Sequence, residues 1–259
     1  MEPKDGVMQF RLHGRYDKAC VYFVDGLLID CGPPRSRGTA ADLLDRLKPD
    51  QVVLTHYHEQ HSGNAALLNE RGIVPALHPD GIDLMKDGFP QQLFYRRFLY
   101  GRPAPARFRP LPETIKTPRY NFQVLPLPGH CPGHVGFYEP EQEWLFAGDL
   151  YTGTLITSLK EEEDLEDHIA SYEKIRSLPI RVLFSSHIGS ITDPKYLLEN
   201  KWYNLTAIRD RIVGMKNHRM KFGQIKRAMR ISEGLRYYLT QGDFAREHFI
   251  TSVLEHRDT

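Results

Sequence analysis

His56, His58 and His61 fall within six consecutive residues, and His130, Asp149 and His187 follow far downstream. Imidazole and carboxylate are ligand types that suit zinc, iron or manganese. The chemistry these residues could share is therefore the binding of a metal ion, which in turn activates water for hydrolysis. His56 and His58 are two apart in an extended run, which points both to one side of the chain. His61 lies just past a turn, within reach of a neighbouring position. A lone histidine is more often a hydrogen-bonded core or surface residue than a ligand; it is the whole set that favours a metal.

Each member of the set follows closely on an apolar run. Residues 51–55 lead into His56, residues 124–127 into His130, residues 144–146 into Asp149, and residues 181–185 into His187. In layered α/β folds, ligands gather at the carboxyl ends of strands, where side chains from several strands can meet. The surrounding pattern agrees. Residues 19–24 and 27–29 read as a hairpin about Asp25-Gly26. Residues 39–47 read as a helix with Thr39 as N-cap and Ala40, Leu43, Leu44 and Leu47 on one face. A helix is expected over 63–70, a strand over 73–77, and a hairpin over 135–138 and 144–146. A second helix is expected over 161–178, with Leu165, Ile169, Tyr172 and Ile175 inward and an acidic first turn that suits the helix dipole. This strand–helix–strand order predicts an α/β layered domain. Residues 81–118 read as a long irregular, proline-rich stretch. Beyond about residue 197 the pattern turns helical and basic. The expected division is a catalytic domain over 1–196 and a helical C-terminal appendage over 197–259.

The chain has 259 residues, of which 41% are hydrophobic and 26% charged, a balance that fits a globule with a substantial core. A formal net charge of +1 argues against a general attraction to nucleic acid or membrane. Three cysteines, Cys20, Cys31 and Cys131, make no disulfide framework and suit a reducing compartment, so a cytoplasmic enzyme is expected. The first fifteen residues hold no apolar run of signal-peptide length, and no stretch approaches a membrane span.

The string Thr55-His56-Tyr57-His58-Glu59-Gln60-His61-Ser62-Gly63 resembles the His-x-His-x-Asp-His signature of the metallo-β-lactamase superfamily. The resemblance continues through Leu28-Ile29-Asp30-Cys31-Gly32, Pro128-Gly129-His130-Cys131-Pro132-Gly133-His134, Phe146-Ala147-Gly148-Asp149 and Ser186-His187, all in family order. It implies a four-layer αβ/βα sandwich with metal at one edge. By the same resemblance His56, His58 and His130 would hold a first ion, and His61 and His187, with residue 60, a second. Asp149 would bridge the two, with Asp30 and His134 in supporting places. Asp149 and Gln60 are the catalytic positions it assigns. The implied cofactor is Zn2+, one or two ions, with iron or manganese as alternatives. The departure is Gln60, where the family pattern has Asp: an amide offers a neutral oxygen and cannot act as a base. Glu59 carries a carboxylate one position early, an offset that would point it elsewhere. The expectation is an intact first site and a weakened second.

The motif spacing resembles glyoxalase II-like thioesterases and lactonases more than antibiotic-degrading members. The expected function is a metal-bound hydroxide acting on a small-molecule ester, a thioester or lactone. One alternative is a phosphodiesterase or nucleic-acid-processing enzyme, suggested by the basic tail, although such tails more often brace a core or form a homodimer contact. The other is a non-catalytic relative in which Gln60 has removed activity. The segment 91–100, with Arg102, Arg107 and Arg109, could clamp an anionic substrate; it reads equally as an amphipathic helix with a solvated face. Tyr57 and Tyr151 could offer a hydroxyl to a developing oxyanion but read more readily as packing aromatics, and Cys131, beside His130, reads as a small buried filler rather than a thiolate ligand or nucleophile.

Overall fold

Apolar residues alternate between the two faces of the central strands, and both faces are covered. The structure, a computed structural model, describes residues 6–85 and 92–255; residues 1–5 of the expected catalytic domain, 86–91 of the stretch 81–118 and 256–259 of the expected appendage lie outside them. One sheet runs in chain order through β1 (Met8–His13), β2 (Lys18–Val24), β3 (Leu27–Ile29), β4 (Gln51–Val53), β5 (Ala76–Leu77) and β6 (Arg109–Pro110). Its first three strands are antiparallel and the rest parallel. The other sheet contains β7 (Thr114–Lys116), β8 (Asn121–Pro126), β9 (Val135–Glu139), β10 (Trp144–Gly148), β12 (Val182–Ser185) and β13 (Gly189–Thr192), in the order β13-β12-β10-β9-β8-β7. A two-stranded ribbon pairs β11 (Leu159–Lys160) with β14 (Phe244–Ala245).

Three clusters of buried side chains define four layers. Between the sheets, Tyr22, Val24, Leu27, Ile29 and Val53 meet Phe122, Phe137, Trp144, Phe146 and Phe184. The intervening residues face outward: Val21, Leu28 and Val52 pack against α1 (Arg37–Leu47) and α3 (Ala65–Glu70). On the far side, Tyr138, Leu145 and Leu183 pack against α6 (Leu165–Arg176), α7 (Lys195–Asn217), α8 (Phe222–Ala228) and α10 (His248–Glu255). Two covered faces explain why these strands read as continuous apolar runs rather than as alternating ones. The remaining helices are α2 (Glu59–Ser62), α4 (Pro79–Met85), α5 (Phe94–Tyr100) and α9 (Leu235–Leu239).

The C-terminal helices complete the core on which the site rests. Leu198, Leu205 and Ile212 recur every seven residues along α7, and with Ile225, Phe249, Ile250 and Val253 they are buried in the same cluster as Leu145 and Leu183. Burying each such side chain contributes about 1.5–3 kcal/mol, so these helices are tightly held to the sheet.

Several element ends differ from the sequence expectation. The first helix begins at Arg37, two residues before Thr39, and Thr39 is not its cap. The expected helix over 63–70 is α3, which begins at Ala65 rather than Gly63, and a short unexpected helix, α2, precedes it over Glu59–Ser62. The expected strand over 73–77 is pared to Ala76–Leu77. The stretch 81–118 holds most of α4, all of α5, and the short strands β6 and β7 among its described residues. The helix expected from 161 begins at Leu165, where the Asp164 side chain accepts from the Asp167 amide as N-cap. The acidic residues just before it are thereby released for other work.

Candidate metal centre

The chain leaves β4 and turns at Thr55, which Asp30 holds from behind. Asp30 Oδ1 accepts from the Thr55 amide at 2.8 Å, and its two oxygens receive the Thr55 hydroxyl at 3.1 and 3.0 Å. The hydroxyl in turn lies 3.1 Å from His56 Nδ1, and Asp30 Oδ2 lies 2.8 Å from His61 Nδ1. One buried carboxylate thus orients both ends of the histidine-rich turn. The loop bearing His130 is pressed against α6: a Cβ at Gly129, whose φ is +119°, would lie 2.5 Å from the His168 backbone nitrogen. Only glycine permits that approach. His134 does not turn toward an ion. Its Nδ1 donates to the Leu127 carbonyl at 2.8 Å and its Nε2 accepts from the Asp149 amide at 3.1 Å, so it positions Asp149.

Three ring nitrogens converge. His56 Nε2 lies 2.9 Å from His58 Nδ1, which lies 3.1 Å from His130 Nε2. The opposite nitrogen of each ring already faces an acceptor: Thr55 Oγ1 for His56, Glu162 Oε1 at 2.7 Å for His58, and Glu163 Oε1 at 2.8 Å for His130. Those acceptors fix the tautomers, because each takes the ring's N–H. The converging nitrogens are then lone pairs, and they cannot hydrogen-bond one another. Their spacing approaches the ~3.3 Å between nitrogens that each stand about 2.0–2.1 Å from a tetrahedral ion. Burial holds His56, His58 and His130 well below the usual imidazole pKa, and the Lys160 ammonium adds to this for the latter two. Neutral imidazole is the form that ligates. Lys160 Nζ itself lies 3.3 Å from His130 Nε2 and 3.5 Å from His58 Nδ1.

A second group adjoins the first through Asp149. Its Oδ2 lies 3.3 Å from His130 Nε2 and 3.2 Å from His187 Nε2, and its Oδ1 lies 3.3 Å from His61 Nε2. His61 Nε2 and Asp149 Oδ1 have no hydrogen-bond partner despite full burial, which fits atoms built to face a cation. Against burial, His187, His61 and His130 hold Asp149 well below the usual carboxylate range. Against burial again, Asp149 and Asp30 push His61 up to about 10, and Asp149 raises His187. Gln60 sits beside this group, yet its Nε2 donates to Asp17 Oδ2 at 2.5 Å. Glu59 is turned away. Arg96 of α5 grips it with 2.7 and 3.1 Å contacts and reaches Glu162 at 3.5 Å.

All six expected ligands, His56, His58, His61, His130, Asp149 and His187, therefore come together. Tyr57 donates its hydroxyl to Glu162, and Tyr151 pairs with Thr154, so neither hydroxyl faces the ring nitrogens. Burial pushes the Cys131 thiol well up, so it stays protonated among apolar neighbours. Sequence reasoning missed Lys160, Glu162 and Glu163. The run Lys160-Glu161-Glu162-Glu163-Asp164 carried a usable signal: it holds more acid than a helix start needs. The site opens into a cleft of about 430 Å³, lined also by Leu99, Tyr100, Leu155, Ile156 and Phe244.

The model of the metallo-beta-lactamase superfamily matches residues 20–187. A hydroxyacylglutathione hydrolase, GloC of Haemophilus influenzae, is 32% identical over 152 residues, covering 54% of this chain and 69% of that protein. An atrochrysone carboxyl ACP thioesterase of Aspergillus fumigatus is 28% identical over 177 residues, covering 62% of this chain and 46% of that one. The chain spans about half the length of most of the curated relatives it matches. Among solved structures, a metallo-beta-lactamase family protein of Thermus thermophilus superposes with a TM-score of 0.68 at 19% identity, over 97% of this chain and 91% of that one, which speaks for the fold. TTHA1623, solved in a di-iron-bound form, superposes with a TM-score of 0.58 at 30% identity over 71% and 94%. With the matched family model covering well over half of the chain and every residue of the two converging groups, the chain belongs to the metallo-beta-lactamase superfamily.

Proposed function

We propose that this protein is a metal-dependent hydrolase of a small-molecule ester, and of a thioester before a lactone. The observation that carries the reading is the meeting of three ring lone pairs, on His56, His58 and His130, beside the carboxylate of Asp149. Such a cluster is costly without a cation and suits zinc, iron or manganese. A divalent ion held there would supply Lewis acidity and make water a competent nucleophile near neutral pH. The chain's own residues do the rest. Glu162 and Glu163 hold the rings of His58 and His130 in their ligating tautomers. Among the described residues Asp149 is the carboxylate that faces both groups, and it would help to hold an ion in either and to fix water beside it. Gln60 adds no second carboxylate: its amide oxygen is neutral and its amide nitrogen donates to Asp17. The second group thus has one anionic ligand, and we assign it the weaker hold on an ion.

The thioester preference is supported by relatives that are hydroxyacylglutathione hydrolases and an ACP thioesterase. An ester of small size is supported by the cleft, whose walls mix apolar and polar groups in a space fit for a small molecule. The basic tail has internal partners. Arg209 pairs with Glu166, Lys226 with Glu247, Arg211 and Lys216 reach backbone carbonyls, and Arg236 lies over Phe244. This favours a bracing role over a phosphate-binding one. No helix among the described residues is long and apolar enough to cross a membrane.

Elemental analysis of the purified chain, followed by a panel of thioesters, lactones and phosphodiesters, tests the reading. It expects at least one transition-metal ion per chain and thioester turnover that chelation abolishes. A metal-loaded protein that turns over none of the panel would be a non-catalytic relative, and turnover of phosphodiesters alone would make it a nuclease-like enzyme.

A further inference from the structure

Beside the ligand nitrogens, the cleft is lined by polar groups that the hydrolytic reading leaves without a task. His168 of α6 is 3% exposed, lines the cleft, and has no hydrogen-bond partner on either ring nitrogen. The Ser158 hydroxyl is buried on the same wall, also without a partner. Lys201 of α7 is 2% exposed; its ammonium donates to the Gly153 carbonyl at 2.8 Å, which leaves two N–H groups uncommitted. Lys160 stands where this wall meets the metal centre: its ammonium lies 3.5 Å from His58 Nδ1, 3.3 Å from His130 Nε2 and 5.8 Å from the centre of the Phe244 ring. The lone pairs on those two nitrogens are the ones an ion would consume, so a loaded centre would leave that ammonium in need of an anion. Orphaned buried donors are rare in folded proteins and ask for a partner.

Glu163 lies near enough to act electrostatically on Lys201 and His168, but among the described residues no carboxylate that lines the cleft hydrogen-bonds to them or to the Lys160 ammonium. Asp149 faces three imidazoles, Glu163 takes the His130 N–H and the Lys160 amide, and Asp17 receives Gln60. The exposed Arg236 adds a further cation where the cleft meets the C-terminal segment. Burial pushes Lys201 down to about 8 and His168 to about 3, so near neutral pH the lysine is charged and the histidine is a neutral donor of one N–H.

We propose that Lys160, Lys201, His168 and Ser158 form an oxyanion-binding subsite, which selects substrates whose acyl portion ends in a carboxylate or phosphate group. This rests on the hydrolase reading for the word substrate, but the subsite itself is a binding claim. Two buried ammonium groups with two neutral donors match an anion's several lone pairs. The substrate's anionic group would be held by these donors while its ester carbonyl faces His130 and Asp149 in the same cleft.

The test uses three probes on the metal-loaded protein by calorimetry: glutarate, monomethyl glutarate and 3-phosphonopropionate. Each has one carboxylate free to meet the ion, so that contribution is common to all three. Glutarate should bind at least about tenfold tighter than its monomethyl ester, the gain expected of one charge-assisted contact. If 3-phosphonopropionate exceeds glutarate, the natural group is a phosphate; if it falls below, a carboxylate. Lys201→Met should collapse the gap. Should that variant fail to fold, His168→Gln and Arg236→Gln should each narrow it. Equal affinity for glutarate and its monomethyl ester in the unsubstituted protein overturns the proposal and leaves ordered water as the wall's partner. A clear gap in a protein that hydrolyses nothing keeps the subsite and removes the hydrolase. Turnover without a gap does the reverse.

Discussion

The two ligand groups sit side by side and share Asp149, yet they are prepared for an ion in opposite ways. In the first, His56, His58 and His130 are neutral, and each presents a lone pair whose direction is set by an acceptor behind the ring. In the second, His61 lies between the carboxylates of Asp30 and Asp149 and is driven toward its protonated form. The position that could have added a second carboxylate is Gln60, tied to Asp17. A shared fold and similar residue types therefore do not make equivalent sites. The partners behind the ligands decide whether a proton or a metal ion is the preferred occupant.

The comparison is broken most severely by removing a ligand. His58→Ala should lose the tightly held ion and abolish turnover, leaving no measurable hydrolysis above background. Metal analysis and a thioester assay check this together; retained activity would move the chemistry to another place. Milder damage should come from behind. Glu163→Gln keeps the size of the side chain but frees the tautomer of His130, and should weaken the first ion by roughly 10–100-fold with little change in folding. Titration with a competing chelator reads that loss. An unchanged affinity would mean the lone-pair direction of His130 is set by something other than Glu163.

Much of this contrast was visible in the sequence, and the part that was not has physical causes. The six ligand candidates were legible because each stands where an apolar run stops, and strand ends are where a layered fold collects side chains. The two sheets were legible for the same reason. Glu162 and Glu163 were not, since four acids ahead of a helix suit its dipole equally well, and the cap at Asp164 became evident only from the hydrogen bond to Asp167. Arg96 was placed in a segment that could clamp a substrate. It is instead spent on Glu59, a long-range pairing between α5 and α2 that no local pattern announces. The use of Gln60 depended on Asp17, 43 residues earlier, arriving from the β1–β2 turn.

Restoring charge should sharpen the contrast from the other side. Gln60→Asp adds an anionic oxygen beside His61 and His187, and should raise affinity for a second ion by at least about tenfold. The readout is ions per chain at limiting metal, with the hydrolytic rate as a companion. If both stay flat, the amide at position 60 belongs to a different working design. The two groups should also part company in pH. An ion at the second group must displace the proton held by His61, whose pKa stands at about 10. Below that value, affinity should climb by up to about tenfold per pH unit as pH rises. The first group is already neutral near pH 7 and should gain little over the same range. Parallel slopes for the two ions would contradict the assignment.

The smallest expected effect tests whether Lys160 belongs to the metal centre or to the cleft. Its ammonium stands close to His58 Nδ1 and His130 Nε2 and must repel a cation placed between them. A ligand or a structural prop would weaken the first ion when removed. A group kept for an anion should do the opposite, so Lys160→Met is expected to tighten the first ion several-fold while loosening glutarate. Two titrations on one variant, metal and glutarate, give shifts of opposite sign if the ammonium serves the substrate. Losses in both would place it among the supports of the metal, and the division between centre and cleft would have to be redrawn.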